Sequence, residues 1–379
     1  MTVLTGRNAQ GEVLGYPRPE RMKDKDTQFN IMALVGNGFD IQVLNEYEQR
    51  TTTRYADFYH FMKMKNLSAD NLVLREMEAS LGSGLANWSD VEGCLAQLAA
   101  RRVPIEDIRT SLVDVRACFS EFLNTVVSSS LLAQLSQDAE KNSWSLDTLS
   151  RFLWDLDDVA QLRKVPFGLL KSNYDTYNYY FVNFNYTSLL DNYLFMDSTQ
   201  FDPLPYKTVD TNFMFHSDPR GFDRSGWNFA SSSYVEAQVV HPHGYQDIPR
   251  SLLFGVDLDG DPRDKNAKLA KPYWARADSR YAHLFSDTHV FVVFGSSLGA
   301  TDSWWWQRIA RSLKDDQERA LILYWWNPSD VFLETTEAVA DRFLGAANVT
   351  PRDRDKIRDQ IVVVSYNEST KRVWLNTTR

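Results

Sequence analysis

Five short apolar runs in this chain each end in residues able to bind or transfer something. Run 31–35 leads into Gly36-Asn37-Gly38-Phe39-Asp40, and run 180–184 into Asn185-Tyr186-Thr187. Run 235–240 leads into His241-Pro242-His243-Gly244, and run 252–254 into Gly255-Val256-Asp257. Run 290–294 leads into Gly295-Ser296-Ser297-Leu298, shortly before Asp302. Two glycines one residue apart after a strand let the chain turn sharply and bring backbone N–H groups close to a phosphate. The spacing is not the full G-x-G-x-x-G fingerprint, so hydride transfer on an ordinary nicotinamide-dehydrogenase site is not supported. An acid one residue beyond the turn repels phosphate, so Asp40 suits a ribose hydroxyl, a water or a helix cap. Asn185 and Thr187 fit a ligand contact or a turn and cap equally well.

His243 is the titratable side chain best placed for proton transfer near pH 7, with a hydrogen-bonded structural histidine as the alternative. His241 shares its face if the strand persists, which Pro242 opposes. No carboxylate or cysteine set accompanies the two, so no metal is expected there. His60, His216, His283 and His289 belong to no constellation. Ser297 has no nucleophile elbow around it. Its hydroxyl, with the backbone of 295–298, suits phosphate or ribose better. Asp257-Leu258-Asp259-Gly260-Asp261 resembles a cation loop without its closing Glu and reads as a solvated turn. A metal-dependent nuclease or phosphoesterase using Asp40, Asp257, Asp259 and the histidines is therefore a third-rank reading.

The elements that must carry these residues follow from periodicity. Strands are expected at 31–35, 180–184, 235–240, 252–254, 290–294, 321–326 and 361–364. Most are continuous apolar runs, as in a sheet covered on both faces. Between the first two lie segments that read as helix: 53–65, 88–101, 104–137 and 146–162. Helices at 267–284, 301–313 and 330–347 then alternate with strands, which implies crossover units and a parallel sheet. The expected architecture is a doubly wound, Rossmann-like α/β domain over 29–379 with a mostly parallel sheet. A helical insertion subdomain occupies about 50–170, and a polar arm spans 1–28. Segment 200–234 reads as a long loop. Trp305, Ile309 and Leu313 fall on one helical face, so of Trp304-Trp305-Trp306 at least one must face a loop, groove or partner.

Bulk properties narrow the class. The chain has 379 residues, 43% hydrophobic and 24% charged, with a formal net charge of −9 and no basic block. That charge argues against a nucleic-acid backbone as the main partner. No apolar run has membrane-spanning or signal-peptide length, and two cysteines, Cys94 and Cys118, exclude a disulfide framework or four-cysteine zinc site. A cytoplasmic protein with two buried thiols is expected.

Taken in order, GNGFD at 36–40, Asn87-Trp88-Ser89-Asp90-Val91-Glu92, Phe184-Asn185-Tyr186-Thr187, His243-Gly244 and Phe294-Gly295-Ser296-Ser297-Leu298 resemble the AbiH family of phage abortive-infection proteins. The resemblance spans about 30–305. It departs at 41–50, where Ile41-Gln42-Val43-Leu44 leads into a polar segment. The counterpart of the family's Thr-x-Tyr-x-x-Phe is shifted to 53–58. The motif order is also similar to that of sirtuin-like NAD-binding domains. That resemblance implies NAD as substrate or ligand, with Gly36, Asn37, Gly38 and Phe39 at the pyrophosphate. It implies Asn185 on ribose or water with Asp40, and His243 as general base. Thr187, Gly244, Gly295, Ser296, Ser297 and Asp302 would complete the pocket. Without the four-cysteine module of sirtuin deacylases, deacylation is disfavoured and NAD cleavage by water is the natural chemistry. A non-catalytic NAD or ADP-ribose sensor is the competing reading. A homo-oligomer or a phage-derived trigger are the partners such an effector implies.

Overall fold

The computed structural model describes residues 28–156, 159–167, 175–195, 213–216, 230–255, 271, 275–328 and 334–379. The expected arm therefore lies outside the described residues except for Gln28, which already belongs to the first strand. In chain order the first elements are β1 (Gln28–Val35), α1 (Gly38–Glu46), α2 (Tyr55–Met64), α3 (Leu72–Gly82) and α4 (Val91–Ala100). Then come α5 (Ile105–Val126), α6 (Ser129–Lys141), α7 (Trp144–Arg151), α8 (Val159–Lys164), β2 (Thr176–Asn183) and α9 (Leu189–Leu194). The ribbon strands β3 (Met214–His216) and β4 (Ala230–Ser232) precede β5 (Tyr234–Val240) and the single-turn helices α10 (Ala277–Arg280) and α11 (Leu284–Asp287). The chain finishes with β6 (Val290–Phe294), α12 (Ser303–Asp315), β7 (Ala320–Trp326), α13 (Thr336–Ala346), α14 (Pro351–Arg358) and β8 (Ile361–Tyr366).

The main sheet has six strands in the order β5-β2-β1-β6-β7-β8, and every pairing in it is parallel. Counting sheet strands alone, that is the 3-2-1-4-5-6 order of doubly wound dinucleotide folds, whose crevice lies where the winding reverses, between β1 and β6. Alternation along β1 divides the core. Ile31, Ala33 and Val35 point into the layer with α2–α7 and the chain end at Trp374 and Leu375; Met32 and Leu34 point into the layer with α12 and α13. Both faces are covered, which is why the strands read as unbroken apolar runs.

Several expected boundaries move for local reasons. The helix expected over 104–137 breaks at Val127 and Ser128, and the Ser128 hydroxyl caps α6 by accepting from Leu131 N–H. The helix expected over 146–162 is instead α7, a 3₁₀ turn at Phe152–Asp155, and α8. Run 252–254 is buried but outside the sheet; its Leu253 N–H bonds the His243 carbonyl. Three apolar residues suit a buried loop as well as a strand. Within 200–234, β3 and β4 pair antiparallel and Tyr234 opens β5, while 200–212 and 217–229 lie outside the described residues. The acidic loop 257–261 also lies outside them, and where 267–284 is described the expected helix is replaced by the single-turn α10 and the start of α11, separated by a turn at 281–283. Cys94 and Cys118 are buried free thiols, and burial pushes them up to about 12 and about 11. No helix among the described residues is long and apolar enough to cross a membrane.

Candidate functional site

The glycine turn after β1 is locked to the end of β6. Gly36 N–H bonds the Phe294 carbonyl and Gly38 N–H the Gly295 carbonyl, both at 2.8 Å. A Cβ on Gly38 would sit 2.6 Å from the Gly295 Cα, and one on Gly36 2.7 Å from its oxygen. Gly295 has φ +65°, with space for a Cβ taken by the Phe39 nitrogen. The three glycines are required because two backbones meet across the switch point. Asn37 is exposed and exchanges hydrogen bonds with Thr53, whose hydroxyl donates to its Oδ1 at 2.6 Å.

Asp40 lies in the first turn of α1, 1% exposed. One carboxyl oxygen accepts from the Thr187 hydroxyl at 2.7 Å, and the other has no partner. Burial pushes this carboxyl up to about 7, against the pull of Thr187. Neither the cap nor the open ribose-facing position describes it: Asp40 ties α1 to the exit of β2 from beneath.

That exit is held by an alternating pair of histidines. His243 faces the Phe184 carbonyl through Nδ1 at 3.2 Å, and His241 faces the Asn185 carbonyl through Nδ1 at 3.1 Å. A carbonyl only accepts, so each Nδ1 carries a proton and each Nε2 turns to a carboxylate. His241 Nε2 lies 3.0 Å from Asp191, and His243 Nε2 lies 3.2 Å from Asp302. The Phe184 ring stacks on His243 with centroids 5.0 Å apart, fixing the imidazole plane. Asn185 is pinned by its own amide, which donates to the Gly36 carbonyl at 3.1 Å, and by its N–H on Asn183 Oδ1. The structure thus brings Gly36, Gly38, Asn185, His243, Gly244, Gly295 and Asp302 to one end of the sheet.

The helical insertion reaches the same place. Phe119 of α5 packs edge-on against Tyr186 and Phe254. Asp90 caps α4, and Glu92 in its first turn extends to Lys271, 2.6 Å away; Lys271 also lies 3.4 Å from Asp302. Burial pushes the Asp302 carboxyl up, but the Lys271 ammonium and His243 outweigh it and hold it well below the carboxylate range. For Lys271 the two acids outweigh burial and raise it; for Glu92 burial wins and the carboxyl is raised. Glu92 was visible only as part of a motif, and Lys271 belongs to none, so their meeting carries no sequence signal beyond the motif itself.

His243, Asp302 and Lys271 line a small recess together with Trp304 and Trp305, with a free volume of about 10 Å³, room for about one water. This is far below the roughly 300–1,000 Å³ of ligand pockets, so a dinucleotide enters only if the side chains around the recess, Lys271 among them, move aside. Ser297 is exposed beside the site, whereas the Ser296 hydroxyl is used at home, accepting from Leu298 N–H. Trp305 and Trp306 are buried as helical spacing requires, and Trp304 is the one turned outward, its indole N–H donating to Asp278. No group of three or more metal-ligating side chains occurs among the described residues.

Fold and strand-end site together define a doubly wound α/β protein with one composite polar site at its switch point. The family model for bacteriophage abortive infection AbiH matches residues 32–324, and the chain belongs to that family. No curated protein matches it significantly. Membership makes abortive-infection defence its general role.

Proposed function

We propose that the defence activity is cleavage of NAD with release of nicotinamide. The observation that carries this reading is the convergence of the Gly36–Gly38 turn, Asn185, His243 and Gly295 at the carboxyl ends of four adjacent parallel strands. In such sheets the glycine turn between strands is the phosphate end and the neighbouring strand exits face the ribose. The bond between ribose C1′ and the nicotinamide nitrogen breaks, its electron pair leaving with nicotinamide. Water adds to C1′, and its proton passes to His243 Nε2 once the Nε2–Asp302 contact has opened and left that nitrogen unprotonated, because an Nε2–H donating to the carboxylate takes no further proton. Asp302, held ionised, stabilises the imidazolium so formed. Asn185 orients ribose and water, while Asp40 and Thr187 support its turn from below.

Incubating the protein with NAD, alone and with phage components, and measuring nicotinamide tests this. His243→Ala is expected to lose roughly 10²–10⁴-fold in rate, the usual worth of a positioned base. An undiminished rate would remove His243 from the mechanism, and no release from the wild type under any condition would remove the reaction. A non-catalytic nucleotide sensor is the second reading. It is favoured by one feature, the engagement of His243 Nε2 with Asp302, and ADP-ribose binding without turnover would select it.

A further inference from the structure

The Glu92–Lys271–Asp302 cluster is more than an ion pair needs. Two carboxylates from distant parts of the chain share one ammonium, with side chains 9%, 17% and 6% exposed for Glu92, Asp302 and Lys271. Each carboxylate has its own support without the lysine: Asp302 is bonded by His243, and Glu92 stands in the first turn of the Asp90-capped helix α4. Lys271 and Asp302 line the recess with the indoles of Trp304 and Trp305, and Glu92 stands behind Lys271, 2.6 Å from its ammonium. Carboxylates beside indole rings are the surroundings that hold a planar organic cation, by charge and by the negative ring faces. The Lys271 ammonium is already a cation held there.

We propose that Glu92 and Asp302 form a subsite for the positively charged pyridinium ring of NAD⁺, and that Lys271 is a tethered cation occupying the subsite until that ring replaces it. The proposal rests on the dinucleotide reading above and adds the control of the same site. The exchange conserves charge: one positive group leaves as another enters, so neither carboxylate is left buried and uncompensated, a strongly unfavourable state. The neutral dihydropyridine ring of NADH cannot make that exchange. Because only the fraction of molecules with Lys271 withdrawn binds the ring, the lysine weakens apparent affinity in the idle protein. A trigger that draws Lys271 away raises affinity without altering the strand ends.

Calorimetric titration with NAD⁺ and with NADH of the wild type, Lys271→Gln and the double variant Lys271→Gln/Glu92→Gln tests this. Lys271→Gln is expected to bind NAD⁺ at least tenfold more tightly than the wild type does, and at least tenfold more tightly than NADH. The double variant is expected to lose most of that preference. Equal binding of the two dinucleotides by Lys271→Gln, or a preference fully kept in the double variant, overturns the subsite and leaves the dinucleotide pocket standing. Binding of neither by all three proteins overturns both. If Lys271→Gln does not fold by circular dichroism, the NAD⁺/NADH ratio of the wild type against the double variant decides, an unchanged ratio being the contrary result.

Discussion

Asp40→Asn is expected to stabilise the protein, and to do so more as pH rises. An aspartate ordinarily ionises at 3.8, and in this fold burial holds the Asp40 proton to about 7. The unfolded chain therefore releases its proton first. The cost to the folded state is absent below pH 3.8, grows between there and 7, and is complete above. That gap is worth on the order of 4 kcal/mol. Asparagine keeps an oxygen to accept the Thr187 hydroxyl and has no charge to bury. The stability advantage of the variant is expected to grow by roughly 2–3 kcal/mol between pH 5 and pH 8. Urea unfolding of both proteins at the two pH values measures it. A variant equally destabilised at both would show that Asp40 is ionised and paired in the fold.

The opposite effect is expected at the glycine lock. In Gly38→Ala the added methyl meets the Gly295 backbone at 2.6 Å from its Cα, and neither partner is the end of a flexible side chain. Either the Gly38–Gly295 hydrogen bond opens or the two strand ends part. Overpacking of this kind costs typically 1–3 kcal/mol, and Gly295→Ala adds a left-handed backbone cost of about 1–2 kcal/mol. Gly345→Ala in α13 is the control, with nothing within 4 Å of its added methyl. It is expected to gain about 0.5–1 kcal/mol through helix propensity. Thermal unfolding of the three variants separates the cases, and a Gly38→Ala protein as stable as the wild type would contradict the lock.

The two results concern one sentence of sequence, GNGFD, and they show how far sequence alone carries. The glycines were legible as a turn at the end of a strand, because a two-residue glycine pattern after an apolar run has few other uses. What crowds them was not, since Gly295 is brought to them only by the pairing of β1 with β6. Strand positions were legible because both sheet faces are buried, which leaves continuous apolar runs. Run 252–254 has the same signature for another reason, burial beneath Phe119. Asn185 and His243 were legible as strand-end residues, but the tautomer that points His243 Nε2 at Asp302 depends on a backbone carbonyl, and no residue type encodes that. His241 was the clearest loss. Pro242 argued against a shared face, yet a proline beyond the strand end at Val240 leaves both neighbouring rings free to meet the β2 exit, and Asp191 in the first turn of α9 completes the pair.

The most direct test of the pocket is a structure of the protein with ADP-ribose soaked or co-crystallised. The expected density places the distal ribose between Asn185 and His243, with the pyrophosphate at the Gly36–Gly38 turn. Ligand bound elsewhere, or a ribose separated from both Asn185 and His243, would contradict it.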